Sequence, residues 1–531
     1  MFHRLTQTEQ FWTQEFTVDA DDIDLINNLL LEEERPLPIG ALTLAVMSRR
    51  VDHEETKLKR LLSKGSLYKP EDSFSEGETL VFPALGFAAA TVAGVRPGYN
   101  PEFGEFQVIQ VDFSRTGRRR EFAASLKKPH ALNAETDRLA QEDSSLRTVE
   151  ELHRLYGQVV EQKLLSRLQD MPDLIHLFGL WFLKALVIEV GPGHLNIAEA
   201  ILDIAGGVPL NPSALLKDLG LPAEARPELL EFSLNYALDK DERFDEVGPA
   251  GQVLWYLRRM EPPDVLHPPR RLTYTPVHYD PNLLNLNLRR LEQELDDEWS
   301  RGWQSAGEPD HVSFTLTYPH RRHGTIPLSS RIAPLFPTSY QTPRIRCTFM
   351  DGETGKEIEA WVVWEGRFVH GLGTWYEENR LPIGAYVQLS PGPEPGVVII
   401  QYTGRRSQRE WVRVATAEEG NLIFGMQKRS VSCDYDDMMM IGMHDLEKAD
   451  EVWIKAEEHN WSLAHIMVKL FPELAKLSPQ NTVHAKTLYS AVNMARRCPP
   501  GPIFAELVRQ PCFISMGENY WRFNPSLWSG G

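Results

Sequence analysis

Residues 311–330, HVSFTLTYPHRRHGTIPLSS, and residues 344–389, RIRCTFMDGETGKEIEAWVVWEGRFVHGLGTWYEENRLPIGAYVQL, carry the pattern on which the fold turns. Val312, Phe314 and Leu316 alternate with Ser313, Thr315 and Thr317. That period of two suits a strand with one buried face and not a helix. Tyr318, His320, Arg321, Arg322 and His323 then crowd into a segment bounded by proline and glycine. So many donors in so short a run predict an exposed basic arm between strands.

Working outward, the 531-residue chain is too long for one ordinary core and predicts several domains. Its 42% hydrophobic and 24% charged residues match a folded globular composition. The longest apolar run, Leu174 to Val190, contains His176, Lys184 and Glu189 and is expected to be a buried helix, so no membrane span is predicted. Cys347, Cys433, Cys498 and Cys512 have no CxxC spacing, and the N-terminus lacks a basic-then-apolar leader; a cytoplasmic, nucleoid-associated protein with reduced thiols is the expectation. The net charge of −18 has the wrong sign for a simple nucleic-acid coat. It is uneven, however: residues 301–429 hold 15 Lys/Arg against 13 Asp/Glu, so the acid lies elsewhere.

Five units are expected. Residues 15–75 read as a winged-helix-like unit: a helix from about Ile23 to Leu30 behind Asp19, Asp21 and Asp22, a second at Ile39–Arg49, a third at Thr56–Ser63, then a strand in SLYKP. Residues 76–132 alternate as a small β-barrel of five strands, with Arg118, Arg119 and Arg120 at a hairpin tip. After a charged linker at 133–148, residues 149–265 form a helical region with a second winged-helix unit. Residues 300–430 form the central β unit and 431–528 a C-terminal winged-helix-like domain. The fold class is therefore α+β multidomain.

Phe244, Val247, Gly248 and Trp255 are echoed by Phe513, Met516, Gly517 and Trp521, each set following a helix. This pattern resembles the HARE helix-turn-helix fold and the N-terminal domain of the bacterial RNA polymerase delta subunit, which is also acidic. A separate resemblance covers the opening stretch. Pro327, Leu328, Phe336, Pro337, Asp351, Gly355, Trp361, Gly371, Leu372, Trp375, Tyr376, Asn379, Leu381 and Gly384 stand where the plant auxin- and abscisic-acid-response transcription factors carry the motifs of their DNA-binding pseudobarrel, a seven-stranded type of fold. Ala385 departs from the acidic residue usual there.

The resemblance implies a barrel that holds the major groove between two arms, Tyr318–His323 and Trp364–Arg367. Tyr318, His320, Arg321, Arg322, His323 and Arg367 are the contacts it implies, with Arg344 and Arg346 as outer phosphate clamps. Arg405, Arg406 and Arg409, with Arg413, concentrate charge beside a following hairpin and offer a backbone-tracking surface.

Asp434, Asp436, Asp437, His444 and Asp445 raise the question of a metal cluster. No EF-hand glycine or HExxH spacing organises them, and Met438–Met440 with Ile441 read as core strand, so no metal is expected. Nor do phosphate-binding loops, a GxSxG elbow or paired histidines occur. The expectation is a non-enzymatic protein without cofactor that binds duplex DNA. The alternatives are a metal-dependent nuclease or restriction-type enzyme with the barrel as effector domain, and a module that docks on RNA polymerase or another protein without touching DNA.

Overall fold

A computed structural model describes residues 4–113, 119–133, 146–222, 224–302, 307, 309–339, 342–394, 396–443, 445 and 448–530. The chain is mixed α+β and divides into two compact units, residues 1–190 with 221–236, and residues 191–220 with 237–531.

In the first unit Asp19 caps the helix Ala20–Glu33 through a reciprocal capping box with Asp22. The two helices expected at Ile39–Arg49 and Thr56–Ser63 are one, Ile39–Leu62, because the polar residues between them contain neither glycine nor proline to break it. The strand that follows, Ser66–Leu67, pairs with Leu80–Val81 and opens a five-stranded sheet that continues through Thr79–Phe82, Ala88–Asn100, Gly104–Phe113 and Arg119–Ala124. Gly65 is required there, since a Cβ would meet the Thr79 carbonyl oxygen at 2.2 Å. Of the expected hairpin-tip arginines, Arg118 lies outside the described residues, Arg119 pairs with Asp112 and Arg120 lies over Phe113. The expected linker falls largely outside the described residues as well.

The apolar run at 174–190 is not a helix. Leu174–Leu177 and Leu180–Leu183 form a hairpin about Phe178 (φ 49°) and Gly179 (φ 78°), and Leu37–Pro38 pairs with its second strand. Two left-handed residues give the tight turn that matches strand twist.

One arrangement recurs along the chain: a helix, a short strand, two helices, then a hairpin whose second strand lies in the middle. In the first unit it is built from Ala20–Glu33, Leu37–Pro38, Ile39–Leu62, Val149–Leu168 and the 174–183 hairpin, with the five-stranded sheet inserted. In its next occurrence along the chain, Pro192–Ile204, a bridge at Leu210 and the helices Pro212–Leu216 and Pro227–Asp239 precede the hairpin Phe244–Glu246 and Trp255–Leu257. At the C-terminus the elements are Leu463–Ala475, Thr482–His484, Ala485–Ala495, Pro500–Arg509, Phe513–Gly517 and Tyr520–Phe523. A buried tryptophan marks the middle strand each time: Trp181 faces Leu37, Trp255 faces Leu210 and Trp521 faces Val483.

The second unit is centred on a curled, half-barrel-like sheet of seven strands. Their order is Val312–Thr315, Tyr386–Pro391, Val397–Tyr402, Arg344–Asp351, Glu357–Val363, Phe368–His370 and Thr325–Pro327. Arg344–Asp351 and Val397–Tyr402 run parallel and the other neighbours antiparallel. The predicted alternation holds: Val312, Phe314 and Leu316 are buried with Ile345, Phe349, Val387 and Ile400 in its core. Ala385, the departure noted in the sequence, is fully buried in that core, a place where a carboxylate would be costly.

From this sheet the chain runs into a long ribbon, Gly404–Glu418 paired with Asn421–Cys433, with Gly442–Met443 a short third strand beside Val414 and Ala415. Val412, Val414, Val431 and Cys433 join the sheet's core, while Ala415, Leu422 and Phe424 join the core around the C-terminal helices. Met438–Met440 form a turn rather than the expected strand, although Met439 and Met440 are buried as expected. Among the described residues no helix is long and apolar enough to cross a membrane.

Candidate nucleic-acid interface

The expected first arm is a six-residue helix, Tyr318–His323, ended by Gly324 at φ 62°. The prediction that it is exposed fails. Tyr318 and Pro319 are buried, His320 is 2% exposed, and each of the polar side chains reaches a partner inside the second unit. Tyr318 donates its hydroxyl to Asp450 at 3.3 Å, and Arg322 and Arg271 donate to the same carboxylate at 2.9 and 2.6 Å. Arg321 donates Nε to the Leu381 carbonyl at 2.8 Å and lies over Tyr376; burial holds its pKa below the usual value. His323 meets Asp264 at 3.2 Å, and its burial, opposed by that carboxylate, keeps the imidazole pKa low.

Behind the arm sits a dry ionic cluster. His320 lies 2.8 Å from Thr325 Oγ1 and 3.3 Å from Glu298. Arg497 bridges Asp297 and Glu298 at 2.7 and 2.6 Å, and Tyr489 donates to Asp297 at 2.6 Å. Burial opposes the charge on Arg497, yet the two carboxylates raise its pKa well above the ordinary value. Glu298 is likewise opposed by burial, but Arg497 and His320 bring it down to about 2. Charges this deep are tolerated only because every one is matched.

The second arm is closed in the same way. Arg367, at φ 54°, donates to the Glu298 carbonyl at 2.7 Å and stacks over Trp299 at 4.7 Å. The expected outer clamps also have internal duties. Arg344 is ion-paired with Asp245 and Glu261, and Arg346 with Glu359 at 3.2 Å. The sequence identified these cations but not the carboxylates that meet them, which lie from 13 to 128 residues away in the chain.

The ribbon behaves differently. Arg405 is held by Glu410 at 2.7 Å and lies over Tyr435, and the partly buried Arg413 donates to the Met440 carbonyl at 3.0 Å. Arg406 and Arg409, by contrast, are exposed, and no ion pair engages them among the described residues. Cross-strand register places Arg409, Trp411 and Arg413 on one face with Ser430, Lys428 and Met426 opposite them. Trp411 is 62% exposed and Lys428 Nζ sits 5.8 Å from its ring. Trp411 and Lys428 escaped the sequence reading, although the alternation Arg409, Trp411, Arg413 on a strand was available as a signal. Ribbon residues 404–433 carry six Lys/Arg against three Glu.

Of the acidic cluster, Asp436 has internal partners: it is buried, accepts from the backbone of Met438 and Met439 and pairs with Lys486 at 2.8 Å. His444 lies outside the described residues, and no group of metal-ligating side chains forms among the described ones. No family model, curated protein or solved structure matches this chain.

Proposed function

We propose that the chain is a non-enzymatic DNA-binding protein whose contact surface is the ribbon rather than the two arms. One observation carries this: Arg406, Arg409 and Lys428 stand in solvent on a ribbon that also exposes Trp411, with no carboxylate engaged among the described residues, whereas the other candidate cations of the sequence are internally matched. Unneutralised cations on a flat β-ribbon are what a polyanion exchanges for its counterions, and ribbons are an established way for strands to approach a groove.

The pseudobarrel reading of residues 312–402 is supported by the seven-stranded curled sheet formed by the stretch that carries the motifs. The winged-helix readings are supported by the recurring strand order with its central tryptophan. In this proposal the barrel is the frame on which the ribbon is mounted, and its arms dock neighbouring segments of the same chain.

The test is duplex binding by fluorescence anisotropy across 50–300 mM salt. The variant Arg406→Ala/Arg409→Ala/Lys428→Ala is expected to lower the slope of log K against log salt by about 3 units, roughly one per lost phosphate contact. An unchanged slope overturns the assignment.

A further inference from the structure

Trp411 stands largely in solvent, with Lys428 across the ribbon as its cross-strand partner. Its neighbours along the strand, Val412 and Val414, are buried in the core of the sheet, whereas the indole points the other way with Lys428 across from it and Met426, 43% exposed, diagonally placed. An exposed aromatic on a two-sided ribbon is a liability for solubility and edge association. Arg409 and Lys428 on its face, neither ion-paired among the described residues, favour a polyanionic occupant over an apolar protein surface.

On a strand, residues of one face repeat every ~6.8 Å, so Arg409 and Trp411 present a cation and then a flat ring along one line. Such a row suits a backbone phosphate followed by a base face. In a paired duplex the base faces are covered by their neighbours and only edges reach the grooves. A largely exposed ring with cations beside it therefore fits a base that has left the stack.

We propose that the ribbon takes unpaired nucleic acid, a single strand or a locally opened segment, with Trp411 as the stacking platform and Arg406, Arg409 and Lys428 following the backbone. This rests on the DNA-binding reading and specifies its substrate class.

The test compares a labelled 20-nucleotide DNA strand of mixed sequence with the duplex of the same sequence, using the full chain, Trp411→Ala, and the triple cation variant. The intact protein is expected to bind the single strand more tightly than the duplex. Trp411→Ala should weaken single-strand binding by roughly 5- to 150-fold, the loss of one base stack, without changing the salt slope. The cation variant should instead flatten that slope by about 2 units, at roughly 0.7 per contact on a single strand. Salt-dependent duplex binding that ignores Trp411, with no preference for the single strand, overturns this inference and leaves the DNA-binding reading standing. Absence of binding to either nucleic acid at 50 mM salt overturns both. Because Trp411 is exposed, a melting curve matching that of the intact chain separates lost contact from lost fold.

Discussion

The arm helix and the ribbon hold similar residues and treat them oppositely. Between Tyr318 and His323 every cation is folded inward onto a carboxylate or a carbonyl, with Asp450 alone receiving Tyr318, Arg322 and Arg271. On the ribbon the sheet buries only one face, so Arg406, Arg409 and Lys428 remain in water. A basic run in a sequence thus has two fates. Which one it meets depends on whether acidic partners are brought to it, and in a chain of net charge −18 such partners are abundant.

The sharpest contrast is in stability. Arg497→Ala strands Asp297 and Glu298 in the interior and is expected to cost about 3–5 kcal/mol in urea unfolding. The ribbon variant Arg406→Ala/Arg409→Ala/Lys428→Ala should leave the melting temperature unchanged while lowering DNA affinity at least about tenfold at 100 mM salt. If the ribbon variant unfolds the protein, the division between the two regions breaks.

A smaller effect is expected within the arm. Arg322→Ala removes one of the bonds to Asp450 while Arg271 still pairs with it, so about 1 kcal/mol is lost. Its DNA salt slope should match that of the intact chain; a flatter slope would show that the arm reaches DNA after all.

A different kind of effect, a pH dependence, is expected next to Arg344. Burial raises the Glu261 carboxyl to about 8, with Asp245 adding to the shift and Arg344 opposing it, and burial raises Glu246 to about 7. A carboxyl whose folded pKa lies above its unfolded value holds its proton in the folded state alone. Stability from these groups is therefore full below the unfolded value near 4.5 and declines as pH rises toward 7 and 8. Urea midpoints at pH 5 and pH 8 should differ in that sense, and Glu261→Gln should shrink the difference. An equal slope in the variant would place the proton elsewhere.

The legible part of the fold was what local pattern encodes. Alternation located Val312–Thr315 and the strands that follow it, and the shared Phe and Trp positions around 244–255 and 513–521 located two of the three recurring units. The third was hidden because Leu174–Leu183 reads as a continuous apolar run until Phe178 and Gly179 are seen as a turn, and because its elements are split by the inserted five-stranded sheet. Continuous apolar runs do not distinguish a buried helix from a buried hairpin by periodicity. Of the candidate site, Arg406 and Arg409 were named from the sequence and stayed in solvent, whereas Trp411 was passed over because exposure is not a property of a single residue type.

What the sequence determined by itself was the alternating strand that opens the central sheet, its inward face, and the count of charges, since these follow from side-chain period and composition. What the tertiary structure decided was the fate of each cation. Asp450 lies 128 residues from Arg322, and Asp297 200 residues from Arg497, so no local pattern links them. Their pairing depends on packing that brings distant segments together, and that packing removed the arm from solvent while leaving the ribbon in it.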